Sequence, residues 1–446
     1  MGSKRVWSVV AIISVLGVSC GDRDQEVASR SSKSSDTSGA SPSAESSPAD
    51  SGLPADYPCS KGDAKGATEK GVTDTTIKIA TIQDVDNPAQ PGLMLPNLQA
   101  MQGFVKMCNG LGGINGRKLE LENYDAGLVK YKEAIAKACE ADVLALVGTA
   151  AVLDGDASQD AVACGIVDVP GLTAEPGHGT AANMVQAMPH AGDAVNIAVE
   201  KYLFKQDPKR KENIGGLFSN RPVTNLVGRQ HADAMVRSGA TQGSVQLMND
   251  IGQTNWGPFI DALKGSGLIY AVGAPDATGS FLDAAHNSGV KLPPVVGDQS
   301  LYNQAWLDAH KDSAEGVVWV PVTTCFLEEA DSCPELLRYG AALKDAGISA
   351  PPSALGIQTW SSALLFADAV KKLGSDVTRP KLLAQLKSVT KWTGFGINGE
   401  TNPSANTIQA CVAIARVEGG KYVRVTPKSG YSCDPSNVVM SDVAEG

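Results

Sequence analysis

Strand-like and helix-like segments alternate along this chain from residue 76 onward. TIKIATI (residues 76–82) is rich in β-branched residues, and KLELENYD (residues 118–125) alternates apolar and polar positions as a strand does. Helix-like stretches cover about residues 95–109, 130–139 and 158–164, and the apolar runs DVLALVG (residues 142–148) and GIVDVPGLT (residues 165–173) complete the series. Strands separated by helices predict βαβ units and therefore a parallel sheet.

The same alternation restarts in the middle of the chain. Strand-like segments cover residues 212–220, 244–250, 268–273, 294–298 and 317–324, with helices at about 227–238, 258–264 and 280–288. Helices near residues 335–346, 360–373 and 380–389 and strands at 409–417 and 421–427 close the chain. Because single cores stop growing at roughly 250–300 residues, the 446 residues predict two α/β lobes.

The charge balance limits the kind of partner. The formal net charge is −10, with 38 Lys and Arg against 48 Asp and Glu. Binding nucleic acid requires clustered cations that neutralise phosphates. No basic stripe interrupts this acidic chain, so we expect no nucleic-acid partner.

The N-terminus is typical of a targeting segment. Lys4 and Arg5 precede an apolar run over residues 6–17, which is too short to span a membrane. LGVSC (residues 16–20) resembles the lipobox of bacterial lipoproteins, although Gly17 stands where that pattern prefers leucine. The resemblance implies a signal peptide over residues 1–20 and a lipid anchor on Cys20. The alternative is an ordinary secretory signal, with Cys20 discarded or unmodified.

A serine-rich segment follows from residue 21 to about residue 56. It contains almost no large apolar residues and cannot bury enough surface to offset its ordering entropy, so we expect a disordered tether. No later apolar run reaches the roughly 18 residues of a membrane span. The folded part is therefore predicted to be extracytoplasmic.

Cysteine usage agrees with export. Without Cys20 an even number remains, which predicts disulfides in an oxidising compartment. The alternative is that Cys108, Cys139 and Cys164 are small buried apolar residues. No CxxC pair occurs and the five histidines are scattered, so we expect no metal site. The remaining cysteines are Cys59, Cys108, Cys139, Cys164, Cys325, Cys333, Cys411 and Cys433.

The glycine-rich loop NGLGGINGR (residues 109–117) lies between a predicted helix and a predicted strand. A dinucleotide-binding loop has the opposite order, with its glycines after a strand and before a helix. These glycines are therefore expected to end the helix and turn the chain. We predict no cofactor.

The segment CNGLGGINGRKLELENYD (residues 108–125), after TIKIATIQD, resembles the N-terminal lobe of type I periplasmic solute-binding proteins. The subgroup is that of branched-chain amino acid and amide binders, which serve ABC transporters. The resemblance covers residues 71–427 and rests on the order of several short sequence motifs along the chain. Further landmarks are GGLFSN (residues 215–220), TNWGPFIDALK (residues 254–264), AEGVVWV (residues 314–320) and FGINGE (residues 395–400).

The resemblance implies an α/β fold with two Rossmann-like, doubly wound lobes joined by a three-crossing hinge. The crossings would lie near residues 189–193, 320–323 and 394–399. The implied organisation is a signal peptide (1–20), a disordered Ser-rich tether and N-terminal approach (21–70), lobe one (71–191 and 322–395) and lobe two (192–321 and 396–446, with the C-terminal tail).

A ligand site is expected where the loops follow the carboxyl ends of the strands, because ligands of open parallel sheets bind there. In lobe one these loops provide Gln83, Asp84, Thr149, Ala150, Val152, Leu153, Thr173, Ala174 and Glu175. In lobe two they provide Asn220, Thr224, Asn225, Asp276, Asp298 and Gln299.

The resemblance also assigns roles. Amino-acid binders hold the ligand carboxylate with a serine, in whose place stands Val152 or Leu153, and with a threonine, which Thr173 would supply. Gln299, with Asp298 beside it, occupies the place of the acidic residue that receives the ammonium group. The predicted ligand class is that of branched-chain amino acids, amides and small organic acids, and these departures weaken the case for a zwitterionic amino acid within it.

Two tryptophans are candidates for clamping a ligand. Trp256 and Trp360 could equally belong to the core, and Trp256, between Asn255 and Gly257 in a loop-like setting, is the better candidate.

Topology suggests the disulfide pairs, although eight cysteines allow on the order of a hundred connectivities. Adjacent helices on one face of the first sheet would bring Cys139 to Cys164. The first helix, on the other face, would bring Cys108 near Cys59. Cys325 and Cys333 close a short loop, which leaves Cys411 with Cys433.

The predicted function is a membrane-tethered, monomeric binding lipoprotein that delivers a small solute to an ABC permease and ATPase complex. An extracytoplasmic sensor for a membrane receptor is the alternative. A secreted hydrolase is disfavoured because no HExxH motif occurs, so we expect no enzyme activity.

Overall fold

A computed structural model describes residues 52–87, 91–155, 157–190 and 192–443. The predicted signal peptide, the predicted lipidation site Cys20 and residues 21–51 of the tether lie outside this part of the chain. The described residues all belong to one compact unit, residues 47–446. Within them, no helix has the length and apolar character needed to cross a membrane.

The first sheet has four parallel strands in the order β2-β1-β3-β4. Three helices from late in the chain return to pack beside α1 and this sheet, and together these elements form lobe one. Its elements are β1 (Thr76–Gln83), α1 (Leu95–Gly110), β2 (Lys118–Asp125), α2 (Tyr131–Glu140), β3 (Ala145–Val147), α3 (Ser158–Ala163), β4 (Val167–Val169) and α4 (Pro176–Gly179), with α10 (Pro334–Asp345), α11 (Ala354–Leu373) and α12 (Arg379–Lys387) returning.

Strand β1 shows why this sheet lies between two layers of helices. Ile77 and Ile79 face the core that contains α1 and α11, whereas Ala80 and Ile82 face the core beneath α2. All four side chains are fully buried. A strand that is apolar on both faces is stable only where both faces are covered, as in parallel sheets.

The second sheet, with its helices, forms lobe two. Its main strand order is β12-β11-β10-β9-β8-β6-β7, with β13 paired to β11. Strands β6 to β10 run parallel, whereas β10, β11 and β12 pair antiparallel. The elements are β5 (Ala194–Asn196), α5 (Ala198–Gln206), β6 (Ile214–Ser219), α6 (Pro222–Arg237), β7 (Gln242–Met248), α7 (Gly257–Leu263), β8 (Leu268–Val272), α8 (Pro275–Asn287), β9 (Val295–Gly297), α9 (Gln304–Ala314), β10 (Val318–Val322), β11 (Cys411–Glu418), β12 (Lys421–Thr426), β13 (Ser432–Cys433) and β14 (Val438–Met440), which pairs with β5.

Three connections join the lobes, after β4, after β10 and before β11. They are hydrogen-bonded to one another. The Cys325 N–H donates to the Ile397 carbonyl at 2.7 Å, and the Gly399 N–H donates to the Thr323 carbonyl at 2.9 Å. The Thr401 hydroxyl donates to the Ala187 carbonyl at 2.6 Å. The expected two-lobed α/β fold with a three-crossing hinge is thus confirmed.

The glycine-rich loop turns the chain between α1 and β2 and holds the N-terminal approach. Gly113 has φ +84° and Gly116 has φ +90°, which favours glycine. The Ser60 N–H donates to the Gly113 carbonyl at 2.8 Å. A Cβ on Gly116 would lie 2.2 Å from the Gly62 carbonyl oxygen, so the approach chain needs glycine there as well.

The eight cysteines form the four predicted disulfides, Cys59–Cys108, Cys139–Cys164, Cys325–Cys333 and Cys411–Cys433. The first ties the N-terminal approach to α1. Leu53, which precedes the predicted tether boundary near residue 56, packs against the lobe-one core.

Several elements differ from the predictions. Helices α6 and α8 begin at Pro222 and Pro275, several residues before the predicted starts, because proline is well suited to the first helical turn. Helices α5 and α9 were not predicted from the sequence. The antiparallel arrangement of β11 and β12 was not predicted either.

Candidate functional site

A cleft of about 1000 Å³ is lined by residues of both lobes. Lobe one contributes the loop after β4, including Thr173 and Ala174. Lobe two contributes loops after β8 and β9, including Ala274 and Asp298. The cleft thus lies at the carboxyl ends of strands, where ligands of open α/β sheets bind.

Much of the cleft wall is aliphatic. Groups of this kind offer no hydrogen bonds, so they bind a ligand through the burial of its apolar surface. Representative lining residues are Leu172, Met188, Val195, Val227, Val272 and Val412.

A polar cluster interrupts this wall on the lobe-two side. His231 Nε2 lies 2.6 Å from Glu200 Oε1, and both side chains are buried. The His231 ring stacks on Tyr270, with ring centroids 3.6 Å apart and an interplanar angle of 8°. Helices α5 and α6 supply Glu200 and His231, and strand β8 supplies Tyr270, so the cluster is built on rigid elements.

Asp298 and His190 extend this cluster. Asp298 follows β9, and its Oδ1 accepts the Ser300 N–H at 2.6 Å. Burial raises the pKa of the Asp298 carboxyl, although Ser300, His231 and His190 oppose the shift. Burial lowers the pKa of His190 despite the nearby carboxylates of Asp154 and Asp298. His190 is therefore a neutral imidazole at neutral pH.

An ion pair lies at another part of the lining. Arg221 Nε is 3.5 Å from Asp250 Oδ2. Burial raises the pKa of Asp250. Hydrogen bonds from the Ser219 side chain and the Ala274 backbone, together with the charge of Arg221, oppose this shift.

Hydrogen bonds to a buried carboxylate hold the loop over residues 173–175 in place. Asp154 accepts the backbone N–H groups of Ala174 at 2.9 Å and Glu175 at 2.8 Å. His178 lies between Asp154 and Asp168, 2.8 Å from each. Burial disfavours its charged form, but hydrogen bonds and charge from both carboxylates outweigh burial and raise the pKa of His178 to about 10. An imidazolium thus holds this part of the cleft wall.

Seven of the residues predicted from the strand-end rule line the cleft. The Thr173 hydroxyl has two acceptors at 3.3 Å, Gln186 Oε1 and the His190 carbonyl. Gln299 Oε1 accepts the Thr323 hydroxyl at 3.2 Å. The seven are Val152, Thr173, Ala174, Thr224, Asp276, Asp298 and Gln299.

The other predicted residues do not line it. Gln83 is buried and donates to the Gly148 carbonyl at 2.9 Å. Asp84 accepts the N–H groups of Val152 at 2.7 Å and Leu128 at 2.8 Å, so it supports the loops from behind. The residues outside the lining are Gln83, Asp84, Thr149, Ala150, Leu153, Glu175, Asn220, Asn225 and Trp256.

Trp256 belongs to the core of lobe two. Its ring is 5.4 Å from that of Phe259 and 5.9 Å from that of Phe281. The side chain is buried with these neighbours. These contacts favour the alternative interpretation of Trp256 as a core residue. Trp360 is likewise buried, in lobe one, where its Nε1 donates to Glu335.

Sequence reasoning missed the cluster of Glu200, His231 and Tyr270. Glu200 and His231 lie on helices, and Tyr270 lies inside a strand, so the rule that selects strand-end loops passes over all three. His190 falls within a predicted hinge crossing, which was the one available signal. Within the described residues, no group of three or more His, Cys, Asp or Glu side chains could hold a metal ion.

Solved structures with the same fold include three binding proteins. A fatty acid ABC transporter substrate-binding protein from Thermomonospora curvata is 17% identical, with a TM-score of 0.65, covering 85% of this chain and 97% of its own. A branched-chain amino acid transporter substrate-binding protein from Streptococcus pneumoniae, in complex with isoleucine, is 16% identical, with a TM-score of 0.63 and coverage of 79% and 100%. A solute-binding protein from R. palustris in complex with benzoate is 14% identical, with a TM-score of 0.63 and coverage of 81% and 98%.

At these identities the likeness establishes the fold alone. The chain matches no curated protein sequence. Residues 76–421 match the model of a family described as periplasmic binding protein. This match spans most of the 446 residues, and the chain therefore belongs to the periplasmic binding protein family.

Proposed function

We propose that this chain is a monomeric extracytoplasmic solute-binding protein that captures a small solute between its lobes and delivers it to an ABC importer. The observation that carries the proposal is the cleft of about 1000 Å³ lined by both lobes. A solute that contacts both lobes stabilises a closed arrangement by its greater affinity for that state. The permease and ATPase complex would recognise this arrangement.

The hydrogen-bonded connections support such a closure. A motion about three linked segments changes few backbone dihedrals and leaves each lobe intact. Because hydrogen bonds join the third connection to both of the others, at Thr401 and at Gly399, the three would move as a unit. The role is binding without turnover of the solute.

We further propose that Cys20 is acylated and anchors the protein to the membrane. Four disulfides support an oxidising, extracytoplasmic location. Mass spectrometry of the mature protein from its native membrane should detect a lipid-modified N-terminal cysteine. An N-terminus that begins elsewhere, or an unmodified Cys20, would contradict the anchor without affecting the binding role.

The solute is a small organic molecule with a substantial apolar part. The aliphatic wall supports this class, and related proteins are named for a fatty acid or were solved with isoleucine or benzoate. A cleft of this volume is at the upper end of the range for ligand pockets, roughly 300–1000 Å³.

A thermal-shift screen tests the proposal, since a solute that binds the folded state raises the melting temperature. The library contains amino acids, amides, aromatic acids, amines and sterol-derived molecules. For each hit we expect Glu200→Gln, in the cleft lining, to lower the affinity, whereas Asp261→Asn, on an exposed face of α7, leaves it unchanged.

Uptake of the labelled hit should fall when the gene is deleted and recover when it is restored. The binding role would be refuted if no solute stabilises the protein, or if hits are chemically turned over. Binding without any effect on uptake would refute delivery to an importer.

A further inference from the structure

The cleft extends into lobe two beyond the loops that follow the strands. Helix α6 lines it with Val223, Thr224, Val227 and His231, and this spacing places the four side chains in one stripe along the helix. With a rise of about 1.5 Å per residue, the stripe from Val223 to His231 is about 12 Å long. We call this part of the cleft the lobe-two arm.

The walls of the lobe-two arm are apolar as far as its inner end. Val199 of α5, Val272 of β8 and Val296 of β9 line the cleft and belong to the buried core beneath α5 and α6. Side chains of this kind bind a ligand through the burial of its apolar surface and offer no hydrogen bonds. A solute that enters the arm must therefore be apolar along its length.

Tyr270 provides a polar group at the inner end of the arm. It lines the cleft from inside β8, two residues before the last residue of that strand, and only 3% of its surface is exposed. Within the described residues its hydroxyl has no hydrogen-bond partner, although buried tyrosine hydroxyls usually have one. This hydroxyl is therefore available to a ligand in the arm.

The orientation of the Tyr270 ring is fixed by its neighbours. It stacks on the His231 ring, with centroids 3.6 Å apart, and packs against Phe218 at 6.3 Å. Glu200 Oε1, 2.6 Å from His231 Nε2, holds the imidazole in turn. Because the hydroxyl is already in place, a ligand can bind to it with little loss of side-chain entropy.

The surroundings of Tyr270 favour a neutral partner. Arg221 is the one Lys or Arg side chain in the described lining, and it lies at the start of α6, at the opposite end of the stripe from His231. An anionic group at the inner end would therefore lack a cationic side chain, in a site where apolar walls weaken solvent screening. A hydroxyl or carbonyl oxygen carries no net charge and can accept a hydrogen bond from the Tyr270 hydroxyl.

We propose that the lobe-two arm receives an elongated apolar solute that carries a neutral oxygen, a hydroxyl or a carbonyl, at its inner end, bound by the Tyr270 hydroxyl. The outer end of the solute would then lie between the lobes, at the loops that follow the strands. This ligand class rests on the proposed solute-binding function and adds the shape of the solute and the position of its oxygen.

Two pairs of ten-carbon probes test the inner oxygen. They are decanoate with 10-hydroxydecanoate and decanamide with 10-hydroxydecanamide, titrated into the purified protein by calorimetry at pH 7. The outer group is the same within each pair, so the ratio of affinities reports on the inner end. The hydroxylated member should bind as tightly as its parent or more tightly. Without a hydrogen-bond partner in the arm, burial of the added hydroxyl would weaken binding by about tenfold or more.

Tyr270→Phe keeps the stacked ring and removes the hydroxyl. It should weaken binding of the hydroxylated probe by about tenfold, because the buried ligand hydroxyl loses its partner, and leave the parent within about twofold. Tyr202→Phe is the matched control, since Tyr202 lies on α5 outside the cleft lining. It should change neither affinity.

A second pair of variants tests the arm itself. Val227 lies within the α6 stripe, between Val223 and His231, so Val227→Phe would narrow the arm. It should weaken binding of every ten-carbon probe by about tenfold or more, since overpacking is costly in a confined site. Val236→Phe makes the same change where the side chain is 42% exposed and should leave the affinities unchanged. These variants and the wild-type ratios remain informative even if Tyr270→Phe fails to fold.

The outcomes separate the parts of the proposal. Parents that bind about tenfold more tightly than their hydroxylated partners, or hydroxylated probes that are unaffected by Tyr270→Phe, would overturn the inner oxygen. Unchanged binding in Val227→Phe would overturn the arm as the binding site, and failure of all four probes to bind would overturn the ligand class. The thermal-shift screen decides the solute-binding function independently, because its hits need not be elongated.

Discussion

His178 Nδ1 lies 2.8 Å from Asp154 Oδ2, and both side chains are buried in lobe one. The second ring nitrogen lies 2.8 Å from Asp168 Oδ2. Only a charged imidazolium can donate from both nitrogens. Asp154 also accepts the N–H groups of Ala174 and Glu175. The His178 cation therefore stabilises the carboxylate that positions this loop of the cleft wall.

Replacement of this cation is the first test. His178→Gln leaves two buried carboxylates without their charge partner, so the free energy of unfolding should fall by about 3–5 kcal/mol. Urea denaturation measures the change. His286→Gln alters an exposed histidine on α8 and should change stability little. If the two variants are equally stable, the imidazolium does not contribute as described.

The interaction of His178 with Asp154 and Asp168 also predicts that the free energy of unfolding depends on pH. The pKa of His178 is raised from 6.5 to about 10 in the folded protein. Its contribution to stability is therefore complete below about pH 6.5, falls as the pH rises, and is lost above the folded-state pKa. Within this window the loss is about 1.4 kcal/mol per pH unit.

Denaturation of the wild type and His178→Gln at several pH values isolates this effect from other titrating groups. The stability difference between the two proteins should shrink steadily between pH 7 and pH 9. A difference that stays constant, or grows, over this range would show that His178 is neutral in the folded state.

The fold could be predicted largely because its strands and helices have distinct periodicities. Strand β2 was predicted with its observed bounds, Lys118–Asp125, since its neighbours are a glycine-rich turn and a polar loop. The short helix α5, AVEKYLFKQ, escaped prediction because it has only 9 residues and no side-chain cap marks its start. Its position against lobe two depends on tertiary contacts that a local pattern does not contain.

The candidate site was predictable in part for a related reason. Thr173 and Asp298 follow strands directly, so topology alone brings them to the cleft. Asp84 also follows a strand, but its carboxylate accepts hydrogen bonds from backbone N–H groups of two neighbouring loops instead of lining the cleft. Sequence position identifies the loops, whereas the direction of each side chain is decided by packing and hydrogen bonding across the lobe.

Trp256 offers a test of that distinction. Trp256→Ala should lower the free energy of unfolding by about 3–5 kcal/mol, because it removes an aromatic side chain from the lobe-two core. The affinity of the folded protein for a cleft ligand should remain unchanged. Calorimetric titration below the melting temperature measures the affinity. A large loss of affinity would show that Trp256 contributes to ligand binding.

The disulfide of the N-terminal approach should stabilise more than the local one. Cys59 and Cys108 are separated by 49 residues, whereas Cys325 and Cys333 are separated by 8. Chain entropy predicts contributions of about 4 and about 2.5 kcal/mol, respectively. Replacing both cysteines of a disulfide by serine should therefore lower the urea midpoint more for Cys59–Cys108 than for Cys325–Cys333. Equal midpoints would mean that the approach segment stays ordered without its disulfide.

Two alanine substitutions test whether the glycine-rich loop requires glycine at residue 113. A Cβ on Gly113 would lie 2.0 Å from the Arg117 carbonyl oxygen, and the residue has φ +84°. Gly165 has φ +68° but meets nothing within 4 Å. Gly165→Ala should thus cost about 1 kcal/mol through backbone strain alone, whereas Gly113→Ala adds a backbone clash and should cost clearly more.

Urea denaturation of both variants gives the difference, and limited proteolysis locates its origin. Because Ser60 hydrogen-bonds to the Gly113 carbonyl at 2.8 Å, Gly113→Ala should also expose residues 52–70 to cleavage, and Gly165→Ala should not. Equal costs for the two variants would mean that the loop relaxes around the added methyl group. The close contact between the loop and the N-terminal approach would then not require glycine at this position.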